Sequence, residues 1–459
     1  MLSTIIIVAI LYMILILGIG FYGRKYSKSF KSFISMNKEG GILLISGSCI
    51  GACIGNGFVV GGAGEGSLYG LAGATFGIAV ACTALVAGLF LSNFVYKHQY
   101  SSLAEYTKKR YNSDVPGLFY VFATTFSYLG LFGAQLMAGK VLFSSLGLDP
   151  TIGVIVIALV VFIYSQLAGI WGTYASSVVQ VIVIILGLLC TIIVIFANGG
   201  IEAIENAVQA GTAPVGALDF SGITWEEAIA ISLPVILGMA TGQEFFVRIG
   251  TAKSAKAARS AHLLSFIVMV PLAIMPAFIG VYGASLYGTT GDGVFFTVIM
   301  NTLPAIVAAL IISAVLAAVM SSISVCYSTI DSVVINDFME GVFKKEISDS
   351  RKKQYSLIMN ILLTVIAVIL AIESGTIIGL LNEFFSILAA ACFVPFVGGI
   401  LWKKGSAFGA GLASIVGMLV VVLGWIGVPL PSLAGTFPLI CGAIAFIIGS
   451  YIKPIQERD

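Results

Sequence analysis

The sequence predicts an all-α polytopic membrane protein, a single transmembrane domain over residues 1–459. Three observations carry that expectation. The chain is 59% hydrophobic and only 10% charged, with a mean hydropathy of +1.08, a balance expected of a chain embedded in lipid and foreign to a soluble one of this length. Apolar segments long enough to span recur without strand-like alternation, and lipid leaves an open backbone unsatisfied, so each must be a helix. Of the 23 Lys and Arg residues, all but Lys140 fall in loops on one side once the spans are laid out.

About thirteen spans follow in order. Segment 2–23 has no basic region before it and no small-residue cleavage site, so it reads as a retained leading helix, with the loop to residue 41 carrying Arg24, Lys25, Lys28, Lys31 and Lys38. Five segments come next, 42–71, 72–96, 115–145, 150–169 and 172–197, with Lys97, Lys108, Lys109 and Arg110 in the loop after the second. A second five are 222–246, 262–287, 301–327, 355–373 and 376–402, interrupted by Arg248, Lys253, Lys256 and Arg259 and then by Lys344, Lys345, Arg351, Lys352 and Lys353. Two trailing helices, 406–428 and 431–452, complete the region 403–459, flanked by Lys403, Lys404, Lys453 and Arg458. The opposite loops hold Glu202, Glu205, Asp219 and Asp292. Positive charge stays in the cytoplasm, which places the N-terminus outside, the C-terminus inside and the chain in the plasma membrane.

Because the basic residues are topological signals, the net charge of +2 says nothing of nucleic acid. The seven cysteines all lie in apolar spans and show no metal or disulfide spacing. With two histidines, His98 and His262, and no nucleophile triad or metal cluster, an enzyme is not expected. Repeated selectivity-filter motifs are missing, which argues against a channel. No obligatory protein partner is evident.

Two spans break the Ile/Leu/Val/Ala pattern. One runs from Gly47 to Gly66 and holds eight glycines with Asn56 and Glu65; the other, Pro234 to Glu244, combines Pro234, Gly238, Gly242, Thr241 and Gln243. Each glycine weakens a helix by ~1 kcal/mol, so such clusters invite unwinding. Glycine is also common where membrane helices pack closely. Position favours unwinding. The breaks open the first helices of two five-helix blocks, 42–197 and 222–402, and five is odd, so the blocks have opposite topology. Paired interrupted helices in inverted repeats point to a midplane binding site in a secondary transporter.

The ninth span carries Ala317-Ala318-Val319-Met320-Ser321-Ser322. The Ala318 carbonyl and the Ser321 and Ser322 hydroxyls share one helical face, a hard-oxygen set suited to Na⁺ if two carbonyls of the unwound helix join it. Serines that bond back to their own helix give the same pattern.

Four stretches resemble the sodium:solute symporter family, in its order and on matching spans. Ala317–Ser322 resembles its sodium-site helix; Gln243–Arg248 with the basic Thr251–Arg259 resembles its Gln…Arg segment and following loop. Ala168–Gly172 through Val178-Val179-Gln180 resembles its Gly-Gly…Val-Val-Gln signature, and Gly399–Lys404 with Gly409-Ala410 its late Gly-Leu-Phe-Trp-Lys segment. The resemblance implies the LeuT-type 5+5 inverted repeat, with one helix before and two after, and sodium-coupled symport of a small polar organic solute by alternating access. It places the cation on the carbonyls of Gly51, Ile54 and Ala318 and the hydroxyls of Ser321 and Ser322. Where members that bind an additional sodium carry acidic and hydroxyl groups, this chain has Ser177 and Val325, so one Na⁺ per cycle is expected.

Within the spans the ionisable residues are Lys140, Glu65, Glu244 and Glu383. Lys140 is expected to snorkel, Glu244 to pair with Arg248, and Glu65 and Glu383 to line the pathway. Asn56 and Phe58 at the first break, Gln243 at the second and Asn382 opposite are the candidate substrate contacts. The first break looks nearest to the choline-carrier branch, although an aromatic cage beyond Tyr128 and Phe245 is not evident; an amino acid or a small carboxylate fits as well. The alternative is a proton-coupled carrier of the same fold using Glu65 or Glu383.

Overall fold

The computed structural model describes residues 2–23, 40–100, 102–341, 346–431 and 436–454, and the side chains of 167–175 lie outside that description. Arg24, Lys25, Lys28, Lys31, Lys38, Lys344, Lys345 and Arg458 fall outside it too, as do the side chains of the Ala168–Gly172 motif.

The elements run in order α1 Leu2–Gly23, α2 Ile42–Cys53, a π-helical turn Gly57–Gly61, α3 Gly62–Tyr69, α4 Thr75–Val86, α5 Ser92–His98, α6 Leu103–Tyr111, α7 Val115–Ser145 and α8 Pro150–Ala197. They continue through α9 Gly200–Gln209, α10 Trp225–Ala240, α11 Gln243–Thr251, α12 Ala255–Tyr287, α13 Val294–Thr302 and α14 Ala305–Asp331, which passes into a π-helix, Ser332–Glu340. The last are α15 Asp349–Glu373, α16 Ile377–Leu388, α17 Val394–Leu401, α18 Ala407–Trp425 and α19 Phe437–Ile452. Among the described residues the one strand-like feature is a bridge between Gly40 and Ala252. It ties the start of α2 to the end of α11, through Gly40 N–H to Thr251 O at 3.0 Å and Lys253 N–H to Gly40 O at 3.0 Å.

Local chemistry sets the helix ends. Asp149, before Pro150, accepts from the Thr151 and Ile152 amides at 2.7 and 3.3 Å, and Thr224 and Glu227 form a reciprocal capping box at the start of α10. Ser254, Thr376 and Ser406 cap α12, α16 and α18. Lys140 finds its acceptors in protein. Its ammonium donates to the carbonyls of Ala371, Ile372 and Ser374 at 3.4, 2.8 and 2.9 Å, closing the C-terminus of α15, where orphan carbonyls and the helix dipole favour a cation.

Among the described residues eight helices are long and apolar enough to cross a membrane, or nine if α10 and α11, bent by 47°, count as one span. That falls short of thirteen for identifiable reasons. The break after Cys53 leaves α2 short, and Gly57–His98 runs through as one stretch, though Gly70, with φ 65°, turns the chain within it. Tyr164 and Ser176 meet at 2.8 Å. Twelve residues along a straight helix would separate them by about 18 Å, so α8 folds back on itself and serves as two segments.

Backbone-to-backbone packing joins α3 to α12. A methyl on Gly280 would lie 1.9 Å from the Ala63 carbonyl oxygen, and one on Gly66 would lie 2.2 Å from that of Ala277. This is small-residue packing in lipid, where close approach stands in for the missing hydrophobic drive. Gly280→Ala must push the two helices apart, with an expected cost of about 1–3 kcal/mol; a thermal midpoint in detergent equal to that of the wild type would refute the close-packing account.

Candidate sodium and substrate site

The first break follows from its residues. Ile54 N–H donates to Ile50 O at 2.7 Å and the α-helical ladder ends there, with Ile54 at φ −81°, ψ 61°. The carbonyls of the last turn, residues 51–54, become the open end of α2. Asn56 stitches the break to α7: its N–H donates to Gln135 Oε1 at 3.0 Å and its side-chain amide to Ala134 O at 2.8 Å. A Cβ at 55 would lie 2.9 Å from the Gln135 amide and 3.1 Å from Ser322 Oγ, so any larger residue must displace the stitch.

Across from this open end lies the serine pair of α14. Ser322 Oγ is 3.5 Å from Ala52 O, and Ser321 Oγ donates to Ala318 O at 2.9 Å; both serines are buried. One hydroxyl of α14 therefore meets one carbonyl of the open end of α2. Ala52, which the sequence did not single out, supplies the carbonyl facing Ser322. Gly51 packs against α8, where an added Cβ would lie 2.7 Å from Ser177 Cβ. Ser321 shows the back-bonding that any membrane serine can adopt, and its lone pairs stay free for a cation.

The second break falls at Thr241 and Gly242, inside the stretch Pro234–Glu244, while Pro234 itself lies within α10. Thr241 Oγ donates to Gly238 O at 2.8 Å, and Gly242 N–H to Met239 O at 2.8 Å. The hydroxyl of Thr241 is thus a second donor to a carbonyl that already accepts the Thr241 amide at 3.1 Å, which tightens the last turn of α10. Just beyond, Arg248 pairs with Glu244 at 3.1 Å and donates to Ser48 O at 3.4 Å. The salt bridge is as its i, i+4 spacing predicts, and it is buried.

Between the breaks lies a cavity of about 30 Å³, lined by Ala52, Gly55, Phe58, Phe76, Gln135, Glu244, Ser322, Val325 and Phe385 among others. That is room for roughly two waters, or a bare cation, and not for an organic solute. Of the candidate substrate contacts only Phe58 lines it. Asn56 is committed to the α7 stitch, Gln243 accepts from Tyr120 OH at 3.2 Å, and Asn382 is absent from the wall while its neighbours Leu381 and Phe385 form part of it. Of the pathway acids, Glu383 is exposed and Glu65 half-buried in α3, away from the cavity.

The chain matches the sodium:solute symporter family over residues 33–417. It belongs to that family. It is 27% identical over 342 residues to a sodium/pantothenate symporter of Haemophilus influenzae, covering 72% of this chain and 68% of that one. A sodium/proline symporter of Staphylococcus aureus is 24% identical over 491 residues, covering 98% and 92%. The fold matches that of a Na⁺-coupled sialic acid symporter in a substrate-bound outward-open state, with TM-score 0.83, 21% identity and 99% coverage of both chains. Mhp1, a nucleobase-cation-symport-1 family transporter, aligns with TM-score 0.59 at 13% identity, covering 90% and 93%. The protein is a transporter and not an enzyme, and sodium is its coupling ion.

Sequence reasoning about this symporter missed Gln135. Its signal was a lone amide in the apolar run Leu131-Phe-Gly-Ala-Gln135-Leu-Met. Glu244 was read as structural only, yet it both pairs with Arg248 and lines the cavity. Removing one partner of a buried ion pair strands the other charge. Glu244→Ala is expected to cost about 3–5 kcal/mol, and the double variant Glu244→Ala/Arg248→Leu to recover much of that; additive losses in thermal unfolding would show that the pair is uncoupled.

Outside the spans, the turn between α12 and α13 is held at two points. Gly291 N–H donates to Ser67 Oγ at 2.8 Å, and Asp292 accepts from Ile377 N–H at 3.1 Å. Burial pushes the Asp292 carboxyl from its ordinary 3.8 up to about 6, with the Ile377 amide and Lys140 opposing. The folded state therefore keeps a proton that the unfolded chain releases first. Its contribution is full below pH 4 and is lost as pH rises through about 6. Asp292→Asn should flatten that fall in thermal midpoint; an unchanged profile would mean that another group titrates there.

Proposed function

We propose that the protein imports a small polar organic solute together with one Na⁺ per cycle by alternating access. The cation is assigned to the carbonyls of Gly51 and Ile54 at the open end of α2, the Ala318 carbonyl and the Ser321 and Ser322 hydroxyls. The observation that carries this reading is the approach of Ser322 Oγ to Ala52 O across the first break, 3.5 Å apart. It sets a hydroxyl of one helix against the unpaired carbonyl end of another, the oxygen-only donor set that a hard cation takes. Ser177 and Val325 bring no carboxylate, which supports a single ion.

Among the solutes, an amino acid or small carboxylate is favoured over a choline-like cation. Pantothenate, proline and sialic acid, for which relatives and a structural neighbour are named, all carry a carboxylate. The near-exclusive placement of Lys and Arg in loops on one side supports an external N-terminus and a cytoplasmic C-terminus in the plasma membrane. The two five-helix blocks, 42–197 and 222–402, are then the repeats that rock about the site, with 1–41 leading and 403–459 trailing.

Thermal unfolding in Na⁺ against K⁺ at equal ionic strength tests the cation site. At a hundredfold excess over Kd, sodium should stabilise the wild type by about 2.7 kcal/mol, and neither Ser321→Ala nor Ser322→Ala should respond. Equal midpoints in the two salts, or a sodium response retained by both variants, would refute the assignment.

A further inference from the structure

Nine residues beyond Ser322, α14 carries an aspartate that plays no part in the sodium site. Asp331 is fully buried at the junction where α14 turns π-helical. Two residues of α15 face it. Ser356 Oγ donates to Asp331 Oδ2 at 2.5 Å, and the Asn360 amide donates to the same oxygen at 3.4 Å and to Ser356 Oγ at 3.3 Å. Among the described residues Asp331 Oδ1 and Asn360 Oδ1 have no partner, although both side chains are at least 98% buried, with exposures of 0% and 2%.

The two unpartnered atoms are both acceptors, so what the cluster lacks is a donor. No cationic side chain among the described residues acts on Asp331. Lys352, one turn before Ser356, is engaged with Glu340 at 2.6 Å. The titratable group facing the carboxyl from its own helix is Tyr327, whose hydroxyl meets Thr364 of α15 at 2.5 Å. An ionised carboxylate so placed is a buried charge with no counter-ion, relieved only by the hydrogen bonds to Oδ2.

We propose that Asp331 is a proton-binding site. A proton on Oδ1 can be donated to Asn360 Oδ1 while Asn360 Nδ2 donates to Asp331 Oδ2, so one proton satisfies both orphaned oxygens and completes a paired acid–amide ring. Turning the Asn360 amide over would give Asp331 Oδ1 an N–H donor but set the Asn360 oxygen against Oδ2, leaving that pair of acceptors short of one proton. Sodium fits less well, since two side-chain oxygens besides the carboxylate fall short of the five or six ligands expected of a hard cation. The proton comes from water and returns to it. Six residues along the π-helix, Asp337 lines a separate cavity of about 320 Å³ with Glu105 and Lys108.

Infrared spectroscopy of the reconstituted symporter in H₂O and D₂O tests the site without reference to transport. Work in the Ser322→Ala background keeps the result separate from the fate of the proposed sodium site. A protonated-carboxyl band that shifts in D₂O is expected at neutral pH, absent in Asp331→Asn and displaced in frequency in Asn360→Leu. The second variant keeps the test decisive should the first fail to fold. Spectra with no carboxyl band altered by either substitution would show that Asp331 is ionised and overturn the proposal. A band lost when Na⁺ replaces K⁺ would assign the site to a metal cation, with the same consequence.

Discussion

The break after Cys53 exists because Asn56 and Gln135 make it tolerable. Inside a bilayer, a helix that stops leaves amides and carbonyls with no water to turn to, each costing several kcal/mol. Asn56 settles part of that debt with its own N–H and its side-chain amide, both directed onto α7 at 3.0 and 2.8 Å. The carbonyls of the last turn of α2 are left over, and Ser322 of α14 stands 3.5 Å from that of Ala52. The proposed cation site is in this sense a by-product of an asymmetric repair: Asn56 ties its donors to α7, and acceptors are left for a ligand.

The second break is repaired differently. Thr241 folds its hydroxyl back onto Gly238 O, and the buried Arg248 reaches past its Glu244 partner to the Ser48 carbonyl. The Gly40–Ala252 bridge joins the same two broken segments at one end. The two interruptions are thus linked mechanically through short polar contacts, whereas their surroundings are packed through glycine and alanine. Those small-residue contacts, such as Gly280 on Ala63, fix distances and leave little polar work to be done.

Much of this was legible in the chain. Composition gave the class, glycine clusters gave the two breaks, and the i, i+3, i+4 spacing of Ala318, Ser321 and Ser322 gave the oxygen-bearing face. What stayed hidden depended on partners distant in sequence. Gln135 is 79 residues from Asn56, so nothing local marks it as the acceptor of the Asn56 amide. Within the stretch Pro234–Glu244 the sequence left the point of the break open: Pro234 stays helical, as a proline in a membrane helix can where neighbours re-satisfy the freed carbonyl, and the helix stops at Thr241. Asp331 escaped notice for a simpler reason: the span was ended at residue 327, where hydropathy falls, whereas the helix runs on as a π segment to Glu340. Lys140 looked like a snorkelling residue, and only the position of the α15 terminus reveals its acceptors.

The small central cavity bears on how such a site couples ion to solute. At about 30 Å³ it admits a cation or water and no organic molecule, so a solute-bound state requires α14, α7 or the broken helices to move apart. A ligand shifts such an equilibrium only by its differential affinity for the two arrangements. Sodium has that leverage if its ligands lie on both sides of the moving interface, and the Ser322–Ala52 approach spans one, between α14 and α2. Asn56 and Gln135 span another, between the first break and α7, and Gln135 also lines the cavity. A solute that contacts Gln135 therefore acts on the same stitch that keeps the carbonyl end of α2 open. Ion and solute then need not touch to be coupled, because both act on one break.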